Sequence, residues 1–140
     1  MLRCHTNIEG AHSSPIYCAT SLGNMLYSSG YKTFKVWSLD AITCISEVLA
    51  HSSYIKNIVV WPEKFVLFEI LFTKIRNILA TAGDKIISLW DLVSLQNIAN
   101  LKGHKDDIKA ITASENLLFS GGKGSATNSA LLVWDLRNMR

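Results

Sequence analysis

Three stretches share one pattern: Lys35-Val36-Trp37-Ser38, Ser88-Leu89-Trp90-Asp91 and Leu132-Val133-Trp134-Asp135. Each is a short run that closes on tryptophan followed by a small polar or acidic residue. A histidine that follows alanine or glycine precedes each stretch, at His12, His51 and His104. The chain therefore contains an internal repeat, and a period of about 40 to 50 residues indicates a repeat architecture.

Within each repeat, short strand patterns alternate with turn residues. In the first repeat, runs at 16–19, 25–28, 33–37 and 42–49 are separated by Gly23-Asn24, Gly30 and Asp40-Ala41. The third repeat shows corresponding runs at 108–113, 116–120 and 130–136. Four short strands separated by such turn residues predict one antiparallel blade of a propeller. We expect the chain to start on an outer strand at 4–10 and to stop after an inner third strand.

The pairing of these histidines with these tryptophans resembles the signature of the WD40 repeat family, and the resemblance covers nearly all of residues 1–140. It implies an all-β fold of about three four-stranded antiparallel blades, with repeats at about 4–40, 41–92 and 93–137. Propellers typically close with four to eight blades, so we expect an incomplete propeller. Three alternatives stay open: a fragment of a larger propeller, a truncated isoform, or a subunit that needs further blades or self-association to close the ring.

In the WD40 family, the histidine joins a structural tetrad with a strand hydroxyl, the blade tryptophan and a turn aspartate. Carried over by position, the second repeat supplies the complete set His51, Thr81, Asp84 and Trp90. The other repeats lack the aspartate and supply His12, Ser28 or Ser29, and Trp37, and then His104, Ser120 and Trp134. Residues that recur once per blade are spread around a ring, so we interpret the histidines as structural rather than metal-binding or catalytic.

Motifs for catalysis are weak in this sequence. The run Ser120–Ser125 superficially resembles a phosphate-binding loop, but it lacks the first glycine and no helix pattern follows it. No nucleophile elbow, activated cysteine or carboxylate pair stands out. The sequence therefore predicts a protein that is not an enzyme and has no metal, cofactor or small-molecule substrate.

Candidate binding residues lie in the loops that lead into the first strand of each blade, or just inside those strands. Tyr17 and Tyr54 supply aromatic area, and Lys56, Asp107 and Lys109 supply charge, a mixture typical of protein interfaces. The alternative interpretation is that these are solvated loop ends. The prediction is a non-catalytic scaffold or adaptor that binds a protein partner.

Two further interpretations concern the partners. The short repeats resemble the propellers of RING and TRAF-type zinc-finger ubiquitin ligases, which implies a ubiquitin-ligase or signalling complex. The alternative function is a reader of nucleic acid or lipid headgroups that uses Lys56, Lys102, Lys105 and Lys109. The net charge of +3 is small and no run of like charges occurs, so composition favours neither nucleic acid nor a membrane as partner.

The remaining expectations come from cysteine usage and repeat length. Cys4, Cys18 and Cys44 are odd in number and widely spaced, so we expect buried small hydrophobic residues in a reducing compartment. This predicts a cytoplasmic location, with the nucleus as the alternative. The second repeat has surplus residues at about 65–76 with apolar residues at helical spacing. They predict either a short amphipathic helix or a lengthened strand pair, and either a partner-binding insertion or a neutral one.

Overall fold

The computed structural model describes residues 3–61, 77–114, 116–123 and 129–137. Their regular structure consists entirely of β-strands. In chain order the strands are β1 (Cys18–Leu22), β2 (Met25–Ser29), β3 (Thr33–Ser38), β4 (Thr43–Leu49), β5 (Ile55–Trp61), β6 (Ile78–Gly83), β7 (Ile86–Asp91), β8 (Asn97–Lys102), β9 (Ile108–Ser114), β10 (Leu117–Lys123) and β11 (Ser129–Asp135).

The strands form three antiparallel sheets in sequence order, β1-β2-β3-β4, β5-β6-β7-β8 and β9-β10-β11. The first strand of each sheet contacts the first strand of the next, so β5 lies between β1 and β9. This arrangement confirms the predicted all-β fold of propeller blades that do not close into a ring. The third blade has three strands in the described part of the chain, whereas the other two have four.

The apolar core lies between successive blades rather than within one. Between the first and second blades it consists of Tyr27, Phe34, Val36, Ile55, Ile58, Leu79 and Trp90. Between the second and third it consists of Ala80, Ala82, Ile87, Leu89, Ile108 and Leu118. The middle blade is therefore covered on both faces, which explains why strand β7 is buried at four consecutive positions, 87–90, instead of alternating.

The residue after each tryptophan stabilises the turn that leads out of the strand. The side chain of Ser38 accepts a hydrogen bond from the Ala41 backbone N–H at 3.2 Å. Oδ1 of Asp91 accepts backbone N–H groups of the following turn at 2.8 and 3.0 Å, and Asp135 accepts the backbone N–H of Arg137 at 3.0 Å. Small polar and acidic residues suit this position because their short side chains satisfy turn backbone donors.

The expectation of an outer strand at 4–10 is wrong for this structure. Residues 3–17 contain no strand, and residues 3–10 are all exposed. A strand needs a sheet edge to pair with, and β4 already occupies the outer edge of the first sheet. Local sequence pattern predicted the strand, but the described structure provides no neighbour for it.

The expectation of three buried cysteines is also wrong. All three thiols are free, but Cys4 and Cys44 are exposed and Cys18 is only half-buried. Cys44 lies on β4, which forms the outer rim of the first blade, and Cys4 lies in the segment that belongs to no sheet. Rim positions stay in contact with solvent because the core lies nearer the inner strands.

Two other expectations concern segments that the structure does not describe. The surplus segment at 65–76 lies outside the described residues, as do Gly124 and Ser125 of the glycine-rich run. Across the described ranges, no helix is long and apolar enough to cross a lipid bilayer.

Candidate functional site

The second blade brings three of the four predicted tetrad residues into one hydrogen-bonded set. The hydroxyl Oγ1 of Thr81 lies 2.9 Å from Nε2 of His51 and accepts the indole N–H of Trp90 at 2.9 Å. Thr81 is fully buried at the centre of the set. Asp84 lies in the turn after β6 and lines a surface depression together with His51, but no hydrogen bond joins the two among the described residues.

The first and third blades repeat this arrangement. In the first, Oγ of Ser28 lies 2.7 Å from Nε2 of His12 and accepts the indole N–H of Trp37 at 2.8 Å. Ser29, the other candidate, instead donates to the Cys18 carbonyl at 3.1 Å.

In the third blade, Ser120 lies 2.7 Å from Nε2 of His104 and accepts from Trp134 at 2.7 Å. Nδ1 of His104 is buried and has no hydrogen-bond partner in the described part of the chain. The third repeat also lacks a turn aspartate. The three histidines sit in separate blades, and no cluster of three or more potential metal ligands occurs among the described residues.

A glycine that sequence reasoning missed lies against each histidine ring. A Cβ atom on Gly30 would lie 2.6 Å from Nδ1 of His12, and one on Gly83 would lie 2.8 Å from Cγ of His51. A Cβ on Gly122 would lie 3.1 Å from Nδ1 of His104. The signal in the sequence is a Gly two residues after the strand hydroxyl in all three repeats. These glycines leave the space that the histidine ring fills.

The substitution Gly83→Ala should lower the free energy of unfolding by about 1 to 3 kcal/mol, because the new methyl group overlaps the His51 ring. The matched control is Gly121→Ala, since a Cβ there meets no atom within 4 Å. Urea unfolding of both variants measures the difference. Equal stability of the two variants would show that the histidine does not occupy this space.

Burial controls the charge of two of these histidines. Desolvation lowers the pKa of His51 below 6.5, although the Thr81 carbonyl and the negative charge of Asp84 partly oppose the shift. Desolvation and the positive charge of Lys35 also lower the pKa of His12. Both rings are therefore neutral at pH 7, which lets one ring nitrogen accept a hydrogen bond.

Acidification should destabilise the fold in a defined pH window. Because both folded-state pKa values are lowered, the unfolded state binds more protons, and stability is lost as the pH falls from 6.5 toward those values. Urea midpoints measured across this window should decrease, and they should decrease less in a His51→Gln variant. A midpoint that rises or stays constant on acidification would contradict the lowered pKa values.

The predicted binding residues separate into two groups, each at a boundary between blades. The aromatic group is at the first boundary: the rings of Tyr17 and Tyr54 make an edge contact with centroids 5.4 Å apart. Tyr31 joins them, with its centroid 4.7 Å from that of Tyr54. All three tyrosines are exposed. We call Tyr17, Tyr31 and Tyr54 the tyrosine cluster, and sequence reasoning missed Tyr31.

The charged group lies at the second boundary. Nζ of Lys56 lies 2.8 Å from Oδ2 of Asp107, and Nζ of Lys109 lies 3.3 Å from the same oxygen. Both lysines lower the pKa of Asp107, mainly through these hydrogen bonds. Asn57 also donates to the Lys109 carbonyl at 2.8 Å. These charged side chains therefore pair with each other, and the Lys56–Asp107 pair connects two blades.

Both groups follow one positional rule. The residue five after a histidine contacts the residue three after the next histidine, as Tyr17 contacts Tyr54 and Lys56 contacts Asp107. The loop residues thus connect neighbouring blades as well as forming surface. The three tyrosine rings stay exposed although they contact each other. In the charged group, by contrast, both lysines are already paired with the Asp107 carboxylate.

Comparisons with known proteins agree with this architecture. The chain is similar to "Myosin heavy chain kinase C" of Dictyostelium discoideum, at 26% identity over 94% of this chain and 15% of that protein. It is also similar to "MST50-interacting protein 11" of Pyricularia oryzae, at 26% identity over 94% of this chain and 39% of that protein. The chain therefore spans well under half the length of these relatives. No family model matches it.

Among solved structures, the computationally designed Ika4 protein superposes with a TM-score of 0.73 at 22% identity, covering 100% of this chain and 77% of that one. At this identity the likeness concerns the fold alone. Three successive antiparallel sheets, each with a histidine, a hydroxyl and a tryptophan in hydrogen-bonding contact, agree with what the resemblance to the WD40 repeat family implies about the fold.

Proposed function

We propose that this chain is a non-catalytic scaffold or adaptor module that binds a protein partner through the tyrosine cluster. The observation that carries the proposal is the mutual packing of three exposed aromatic rings on a rigid boundary between two blades. Tyrosine is enriched among the residues that dominate protein interfaces, because it offers a large apolar ring and a polar tip at low conformational cost.

The surroundings of the cluster support a protein ligand. Nζ of Lys32 lies 4.9 Å from the centroid of the Tyr31 ring, so a charged group borders the cluster. An apolar centre with charged groups at its border is the usual anatomy of a protein interface. The name of the Pyricularia oryzae relative is that of an interacting protein, which supports the same class of function. The kinase name of the other relative does not extend to this chain, which spans 15% of it.

Finer assignments belong to the same proposal. We place the module in a ubiquitin-ligase or signalling assembly in the cytoplasm, on the basis of its repeat-sequence likeness to RING and TRAF-type propellers. A reader of nucleic acid or lipid headgroups is the weaker function, because Lys56 and Lys109 already share the Asp107 carboxylate.

Affinity capture tests this proposal. The immobilised chain and its Tyr31→Ala/Tyr54→Ala variant are compared, with Val93→Ala as the control at an exposed turn away from the cluster. We expect the double variant to capture at least tenfold less partner protein than the parent chain. The control should capture the same amount as the parent chain. Retention by the double variant would contradict the proposal.

Salt dependence separates the two functions. Binding through aromatic rings should change little between about 0.15 M and 0.5 M salt, since screening acts on charges. Binding of DNA or anionic vesicles that collapses over this range would instead support the lysine-based reader.

A further inference from the structure

A surface depression of about 270 Å³ lies beside the histidine of the second blade. Its polar lining comes from the loop before β5, the turn between β6 and β7, and strands β7 and β8, and consists of His51, Ser52, Asp84, Ser88, Asn100 and Lys102. Pockets for small-molecule ligands usually have volumes of about 300 to 1,000 Å³. A depression of this size therefore suits one side chain or a group of similar size.

The depression lies where two neighbouring strand positions of the second blade carry short side chains. Ser88 lies two residues before the blade tryptophan, and Asn100 lies opposite Ser88 in the β7–β8 register. In the first blade the corresponding pair is Lys35 and Glu47, which also lie opposite each other. In the third blade the position of Ser88 is taken by Leu132. Long side chains thus take this position in the other two blades.

The first blade shows what fits beside a blade histidine. Nζ of Lys35 lies 3.6 Å from a carboxylate oxygen of Glu47 and 6.0 Å from the centroid of the Trp37 ring. Desolvation and the positive charge of Lys35 lower the pKa of His12, so the ammonium group acts on the histidine ring. Only 18% of the Lys35 side chain is exposed. The blade therefore accommodates a lysine side chain at this position.

The second blade supplies a carboxylate for such a cation. Asp84 is half-buried, and its carboxylate forms no hydrogen bond or ion pair within the described ranges. Burial lowers the pKa of His51, although the negative charge of Asp84 opposes the shift, so the ring is neutral at pH 7 and does not repel a cation. Lys102 is exposed, so salt screens its charge more than that of a half-buried group.

We propose that this depression binds a cationic side chain, a lysine or an arginine of a peptide or protein ligand, whose charge pairs with Asp84. The aliphatic part of such a side chain finds apolar contact with Ala50 and Ile86, which also line the depression. The bound cation takes the place that Lys35 fills in the first blade. This site goes beyond partner binding through the tyrosine cluster and does not depend on it.

Titration of the full chain with N-acetyl-lysine methylamide, followed by nitrogen-edited NMR, tests the site. The backbone amides of 83–88 and 100–102 should shift and saturate. The matched ligand is N-acetyl-norleucine methylamide, which has the same carbon chain without the ammonium group, and it should cause no saturable shift. Equal binding of the two ligands, or no binding of the lysine ligand, would overturn the proposal.

Two charge variants identify the group that holds the cation. Asp84→Asn should raise the dissociation constant of the lysine ligand about threefold to fivefold, as expected for the loss of one partly exposed ion pair. Asparagine tolerates the left-handed backbone of Asp84, which has a φ of 50°. Lys102→Gln should lower the dissociation constant, because it removes a like charge. An unchanged constant in Asp84→Asn, or weaker binding in Lys102→Gln, would overturn the proposal.

Inorganic phosphate tests the opposite charge. An anion would be repelled by Asp84 and attracted by Lys102, so we expect no saturable shift of the amides at 83–88 and 100–102. A saturable shift with phosphate that Lys102→Gln weakens would show an anion site and overturn the proposal.

Filling the depression provides a test that is independent of Asp84. The double substitution Ser88→Lys/Asn100→Glu copies the pair of the first blade into the second, and it should abolish binding of the lysine ligand. The control Val93→Lys adds a lysine at a turn residue that is 83% exposed and should bind like the parent chain. A folded double variant that still binds would overturn the proposal. If the double variant does not fold, Asp84→Asn and Lys102→Gln decide.

This site and the tyrosine cluster have separate readouts. Neither Tyr31 nor Tyr54 lines the depression, so the Tyr31→Ala/Tyr54→Ala variant should bind the lysine ligand as the parent chain does. Loss of that binding in the tyrosine variant would place the ligand outside the depression and overturn the proposal.

Discussion

Replacing Phe34 by alanine should lower the free energy of unfolding by about 3 to 5 kcal/mol. Phe34 is fully buried between the first two blades, where its ring meets that of Trp90 edge-on with centroids 5.3 Å apart. Alanine would leave a cavity at the boundary that connects the blades. A loss of this size is a large fraction of the roughly 5 to 15 kcal/mol by which small domains are stable.

Two further variants identify the source of the effect. Phe34→Leu keeps most of the apolar volume but removes the aromatic contact, so it should cost clearly less than alanine. Val93→Ala, at an exposed turn, should change stability by less than about 0.5 kcal/mol. Urea unfolding is compared at one fixed chain concentration, because association would make stability depend on concentration. A cost below about 1 kcal/mol for Phe34→Ala would contradict packing between blades.

Replacing Thr81 by valine should lower the free energy of unfolding by about 2 to 4 kcal/mol. Valine keeps the shape and removes the hydroxyl, which leaves the indole N–H of Trp90 without its partner and leaves Nε2 of His51 only the Thr81 carbonyl, 3.2 Å away. Each polar group left buried and unpaired costs about 1 to 3 kcal/mol. The substitution therefore tests the hydrogen-bonded set without opening a cavity.

The matched control for this substitution is Thr112→Val. Thr112 also lies in a β-strand, but its side chain is exposed, so the loss of its hydroxyl should change the unfolding midpoint little. Similar effects of the two substitutions would indicate that the Thr81 hydroxyl carries no special stabilisation.

The sequence pattern alone predicted the features that recur in every blade, such as the tryptophan and its hydrogen-bond partner. Tryptophan at the end of an apolar run recurs once per blade because each blade buries it in the same surroundings. Trp37 and Trp90 accordingly donate to hydroxyls of the same relative position. The choice between Ser28 and Ser29 could not be made from sequence, because adjacent strand residues point to opposite faces and the register was unknown.

Contacts between residues that are far apart in the sequence were not predicted. The segment 4–10 was predicted to be a strand but pairs with no sheet in the described structure, and pairing is a property of two segments. Lys56 and Asp107 were predicted as binding residues, but the ion pair that they form between blades was not predicted. Tyr31 was not among the predicted binding residues, although its ring packs against that of Tyr54.

Indole hydrogen exchange, followed by nitrogen-edited NMR, reports on the contact of histidine, hydroxyl and tryptophan in each blade. If this contact stabilises every blade, the indole N–H groups of Trp37, Trp90 and Trp134 all exchange far more slowly than a free indole, and Thr81→Val accelerates only that of Trp90. Exchange at the free rate for any of the three in the parent chain would contradict blades that are stabilised in this way.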